Sequence, residues 1–134
     1  RLVLYDVDPD TAPQNTLAPI DAIINPLLSG PGAGLPAPVT GTRYLLTEGT
    51  GGSRTDPYFA TAWAGTSNQP LIADANDIIQ YNGIRWIRVF VSRDETASQY
   101  VTNITTNIQY EWTGDQWIKS YQGVYPGGAW QLVL

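Results

Sequence analysis

The chain is expected to fold as an all-β module: a small antiparallel β-sandwich or barrel built of hairpins, with an extended N-terminal arm and at most one short helix. Three observations predict this. An aromatic-x-Gly-x-x-Trp motif occurs three times, as Tyr81-Asn82-Gly83-Ile84-Arg85-Trp86, Trp112-Thr113-Gly114-Asp115-Gln116-Trp117 and Tyr125-Pro126-Gly127-Gly128-Ala129-Trp130. Each copy sets a glycine bend between aromatic, β-prone runs. The composition agrees, with 13 Gly, 10 Pro, 5 Trp, 8 Tyr and 2 Phe in 134 residues, beside many Thr, Val and Ile. Such a mixture suits short strands joined by tight turns and offers little to a helical bundle.

In chain order, Leu2 to Val7 is a β-prone run closed by the turn signal Asp8-Pro9-Asp10. Leu17, Ile20, Ile23, Ile24 and Leu27 then fall at helical spacing, with Thr16 as N-cap and Pro26 ending the helix near Asn25. Ser29 to Pro38 is rich in Gly and Pro and reads as a linker or extended arm. Residues 1–40 therefore form an arm and residues 41–134 the β-hairpin module. Within the module Arg43 to Thr47 is a strand, followed by the flexible loop Glu48 to Ser53. Pro57 to Gly65 is irregular or a short strand, and Ala73 to Asp77 is a polar approach to the first motif copy.

Asp77 to Tyr81 and Ile84 to Val91 flank Asn82-Gly83, a pair suited to a type I′ turn with positive φ at both positions. Asn107 to Trp112 and Gln116 to Tyr121 flank Thr113-Gly114-Asp115 in the same manner. Tyr100 to Thr105 supplies another strand after the charged connector Arg93 to Ser98, and Ala129 to Leu134 a final one.

Strand alternation gives these runs two faces. Trp86, Arg88 and Phe90 share one face of the first return strand, and Trp117, Lys119 and Tyr121 share one face of the second. Either the rings pack in the core with each cation snorkelling to the rim, or they form an exposed strip able to stack on sugars or a partner. The third copy favours core packing, because Leu132 and Leu134 stand where the others have a cation and an aromatic. As a speculative binding site, the strip would comprise Trp86, Arg88, Phe90, Trp117, Lys119 and Tyr121.

Charge and residue usage exclude several functions. The net charge of −5 repels a phosphate backbone, and the seven Lys and Arg make no basic stripe, so no nucleic-acid partner is expected. Without Cys there is neither a disulfide framework nor a zinc–thiolate site, and without His the commonest general base is missing. No run approaches the ~18 apolar residues of a membrane span. With no Met and Arg1 at its start, the chain reads as a fragment or processed form of something larger.

Candidate chemistry is sparse. Asp6, Asp8 and Asp10 alternate as in a calcium loop but lack its following Gly and Glu. Gly49 to Ser53 lacks the Gly-Lys-Ser/Thr of a phosphate-binding loop. Asp94, Glu95, Glu111 and Asp115 have no spacing that marks a glycosidase pair. Asn103-Ile104-Thr105 matches a glycosylation sequon. No catalytic residue, metal site or cofactor is assigned, and the chain is read as non-enzymatic.

The segments Gly41-Thr42-Arg43-Tyr44-Leu45, Ala62-Trp63-Ala64-Gly65 and Asn76 to Trp86 together carry a Gly-x-x-Tyr, Trp-x-Gly, Ile-x-x-Tyr-x-Gly-x-x-Trp pattern. It resembles a β module of tailed-bacteriophage virion proteins, found in tail, fibre and baseplate components. The resemblance implies a structural or receptor-proximal role in a virion, as a homo-oligomer or among other virion subunits. The arm of residues 1–40 lies outside the resemblance; Pro/Gly-rich and short of charges, it gains little by folding alone and is expected to lie along a neighbouring subunit. The turns are also similar to those of chitin- and cellulose-binding modules, which implies a surface glycan as the alternative partner.

Overall fold

The computed structural model describes residues 13–51, 61–64, 66 and 71–120. The Leu2–Val7 strand, the Asp6/Asp8/Asp10 cluster, Tyr121 and the third motif copy lie outside the described residues.

The described chain is mostly strand, in three sheets, as expected of an all-β fold. Its strands are β1 (Ala22–Ile24), β2 (Gly30–Pro31), β3 (Gly34–Leu35), β4 (Arg43–Leu46), β5 (Ile78–Tyr81), β6 (Trp86–Phe90), β7 (Gln99–Asn103), β8 (Ile108–Trp112) and β9 (Trp117–Lys119). Single 3-10 turns occupy Thr61–Ala64 and Ser92–Asp94. One sheet has the order β1-β4-β5-β6, a second β7-β8-β9, and β2 pairs β3. The hairpins are antiparallel, but β1 runs parallel to β4. Parallel neighbours need a long connection, and Asn25 to Thr42 supplies it without a helix.

The four-stranded sheet is buried on both faces, which explains its near-continuous apolar strands. Ile24, Tyr44, Leu46, Ile79 and Trp86 point to one face, where Trp63, Leu71 and Ala73 cover them. Leu45, Ile78 and Phe90 point to the other, where Ile20 and the second sheet's Val101 and Trp112 complete a sandwich core. Strand β6 feeds both cores through a bulge. Ile79 faces Arg88 but Ile78 faces Phe90, so Val89 is an extra residue. The added residue turns Phe90 to the side opposite Trp86.

The predicted helix is not formed. Ile20 donates its N–H to Thr102 O at 3.0 Å and accepts from Ile104 N–H at 3.0 Å. Thr16 Oγ1 accepts from Tyr100 N–H at 2.8 Å instead of capping a helix. Pro19 lacks a donor and biases Ala18 towards extended backbone, so the β-branched residues take up sheet pairing. The segment runs beside β7 and then enters the first sheet as β1, hydrogen-bonding to both sheets in turn. Residues 13–24 are thus hydrogen-bonded into the module. The Gly/Pro segment likewise holds the short β2–β3 pair.

The described part of the loop read as flexible is packed from Gly49 to Gly51. Gly49 and Thr50 are buried, and Thr50 bridges Ala73 through hydrogen bonds of 2.9 and 3.0 Å. A Cβ on Gly51, where φ is +82°, would stand 2.1 Å from Leu71 O. Close backbone approach is what these glycines permit.

Candidate functional site

Both described motif copies build the same turn. Asn82 donates its N–H to Arg85 O and Thr113 donates to Gln116 O, each at 3.0 Å, leaving two-residue loops of Gly83-Ile84 and Gly114-Asp115. Positive φ falls on the glycine alone, +99° at Gly83 and +100° at Gly114. That is the φ pattern of a type II′ turn and not the expected type I′. The residue before each glycine stays outside the loop and caps it. Asn82 Oδ1 accepts from Arg85 N–H at 2.9 Å, and Thr113 Oγ1 accepts from Gln116 N–H at 3.2 Å.

The aromatic residue and the Trp that bracket each motif are cross-strand partners, Tyr81 with Trp86 and Trp112 with Trp117. Their ring centroids lie 5.4 and 5.3 Å apart, tilted by 51° and 52°. The repeat therefore encodes a hairpin end clamped by a ring pair, a favourable cross-strand contact.

Of the six strip residues, Trp86 and Phe90 are each 4% exposed and occupy different cores. Arg88 and Trp117 are half-buried and Lys119 is exposed, while Tyr121 lies outside the described residues. The strip is not one exposed face, and Arg88 does not snorkel to a rim. Arg88 Nε donates to Asp77 Oδ2 at 2.8 Å. Asp77 is fully buried and also accepts from Asp74 N–H, Ser92 N–H and Ser92 Oγ, each at 2.8 Å. A buried carboxylate with this many donors is satisfied, so it pins the Asp74–Asp77 turn to β6. Sequence reasoning missed Asp77, since nothing local separates a buried acid from a solvated one.

The Tyr44, Trp63, Tyr81 and Trp86 rings form one cluster. Trp86 stacks on Tyr44 at 5.4 Å and meets Trp63 edge-on at 5.0 Å. These are the aromatic residues of the Gly-x-x-Tyr, Trp-x-Gly, Tyr-x-Gly-x-x-Trp pattern, so that pattern records core packing.

The remaining candidates do not converge. Asp94 and Asp115 are exposed, and Glu111 is half-buried on β8. Glu95 is half-buried too, and its Oε2 accepts from Ala97 N–H at 3.3 Å. Asn103 is 4% exposed and its Oδ1 accepts from Thr105 N–H, so the sequon asparagine is buried. Among the described residues, no group of three or more His, Cys, Asp or Glu could hold a metal ion.

Several large apolar side chains are also exposed among the described residues, Leu28 and Ile72 included. Val39, Ile84 and Ile104 are 69%, 58% and 57% exposed. All three sit at the same end of the sandwich: Val39 before β4, Ile84 in the β5–β6 turn and Ile104 in the β7–β8 turn. Contacts tie these segments together, since a Cβ on Gly83 would lie 3.0 Å from Thr40 Oγ1 and Thr105 Oγ1 donates to Asp21 O at 2.6 Å. Beneath them Arg43 N–H donates to Asp21 Oδ2 at 2.9 Å, and Arg43 Nη1 donates to Gln80 Oε1 at 2.6 Å. Burial lowers the Arg43 pKa, against the opposing pull of Asp21, and burial together with Asp21 raises that of Tyr44. Comparison of the chain with protein-family models, curated proteins and solved structures found no match.

Proposed function

We propose that this chain is a non-enzymatic structural module of a phage virion protein, of tail, neck or baseplate, acting through protein–protein contacts. The observation that carries the contact role is the set of exposed Val39, Ile84 and Ile104 at one end of the sandwich. Apolar side chains gathered at one end are what a partner surface would cover. The groups suited to chemistry, Asp77 and Arg88, are occupied in holding the fold. The virion setting rests on the resemblance of the Tyr44, Trp63 and Trp86 pattern.

The rival glycan reading needs ring faces in water, and burial of Trp86 and Phe90 removes two of its rings. The test has two arms. Sedimentation velocity over a concentration series is expected to show self-association that V39S/I84S/I104S abolishes with its melting temperature unchanged. Mass spectrometry of gradient-purified particles from a culture carrying the gene is expected to find the chain. A chain absent from particles, monomeric at every concentration and shifted in Trp fluorescence by soluble oligosaccharide would overturn the proposal.

A further inference from the structure

We propose that Asn82 is a site of spontaneous chemical modification, converted to aspartate and isoaspartate through a succinimide closed by the backbone nitrogen of Gly83. Asn82 is the chain's one asparagine followed by glycine. Asn82 and Gly83 are both exposed, so water reaches the peptide between them.

The turn folds the reacting atoms together. Asn82 Oδ1 accepts from Ile84 N–H at 2.8 Å and from Arg85 N–H at 2.9 Å. The ring closed by the first bond contains Cγ, Cβ, Cα and C of Asn82 and N of Gly83, the five atoms of the prospective succinimide. The side chain is thus held over the peptide that attacks it. As Cγ becomes tetrahedral, negative charge develops on Oδ1, where the two amides already point. Gly83 has no Cβ to obstruct closure, and among the described residues its N–H has no acceptor.

The chemistry balances with water alone. Gly83 N gives its proton to water or hydroxide and bonds to Cγ, and Nδ2 leaves as ammonia after gaining a proton. Water then opens the ring at Cγ to give aspartate, or at the backbone carbonyl to give isoaspartate. Nothing is oxidised or reduced. Aspartate retains the acceptor for both amides, so the turn persists with one more negative charge. Isoaspartate inserts Cβ into the main chain and displaces Tyr81 from Trp86. The other hairpin is an internal control, since Thr113 occupies the same position before Gly114 and has no amide to lose.

The experiment incubates the full chain at mildly alkaline pH and follows intact mass, peptide fragmentation and isoaspartyl-methyltransferase labelling. The expected result is a first-order gain of the amide-to-acid mass difference confined to Asn82. N82T should abolish it, and N82D should fold without further gain. The native rate should at least equal that of the urea-unfolded chain. No gain in the native chain, or equal gain at other asparagines, overturns the site. A native rate many-fold slower than the unfolded one overturns the role given to the two amides.

Discussion

Replacing Asp77 tests what fixes β5 against β6 below the bulge. Its carboxylate is fully buried, lies 2.7 Å from Arg88 Nη2 and accepts three further hydrogen bonds from Asp74 and Ser92. In D77A those donors lose their acceptor and Arg88 loses its buried counter-charge. Breaking a buried pair from one side costs about 3–5 kcal/mol, and each orphaned donor costs about 1–3 kcal/mol. The donors share one site, so these costs overlap, and a total of about 4 kcal/mol is expected. That is a large share of the roughly 5–15 kcal/mol of a whole domain. D77N keeps the volume and one carbonyl but removes the charge, and about 2–3 kcal/mol is expected on the same scale. Urea unfolding followed by Trp fluorescence should show a lower midpoint at unchanged slope. R88L in the D77N background should cost less than it does alone. A D77N loss below about 1 kcal/mol, or strict additivity of the two changes, refutes the reasoning. Asp74 Oδ2 lies 3.3 Å from both Arg93 Nε and Arg88 Nη2, but the Asp74 side chain is half exposed, so D74N should cost less than D77N.

Four further outcomes are expected. W86A should cost about 3–5 kcal/mol in urea unfolding, and W117A distinctly less, because Trp117 is only half-buried. G51A should be far more destabilising than G83A, since both have positive φ but only Gly51 has backbone within 2.1 Å of the new Cβ; thermal melts of the two variants check the order. The raised Tyr44 pKa keeps its phenol neutral after the unfolded chain's tyrosines ionise at about 10. Its stabilising effect is therefore complete below that pH and lost as pH rises towards the folded pKa. Y44F should flatten that alkaline decline in a stability–pH series. Soluble oligosaccharides should leave Trp fluorescence unchanged; a saturable shift lost in W117A would revive the glycan reading.

The hairpins were legible because each needs only local signals: a glycine, flanking β-prone runs and a bracketing aromatic pair. The turn type was not legible. Asn82 could enter the loop with positive φ or stay outside and cap it, and only the observed hydrogen bonds decide between these. Strict alternation put Trp86 and Phe90 on one face, and it fails at Val89 because a bulge leaves no mark in the sequence. Helical spacing at Leu17 to Leu27 was real, but Pro19 and the free edges of β4 and β7 outweighed it. Asp77 and Arg88 stand 11 residues apart, and their pairing depends on burial that composition does not reveal.

The segment from Asn15 to Ile24 has a mechanical consequence. It bonds first to Tyr100 and Thr102 of β7, then to β4 through Ala22, Ile23 and Ile24. Tension applied on the N-terminal side of Asn15 loads the β7 edge first and reaches β4 only through the buried Ile20. Along β1 the hydrogen bonds to β4 bear that load together, in shear, instead of opening one at a time. A clasp of this kind would spread traction on the segment over two sheets.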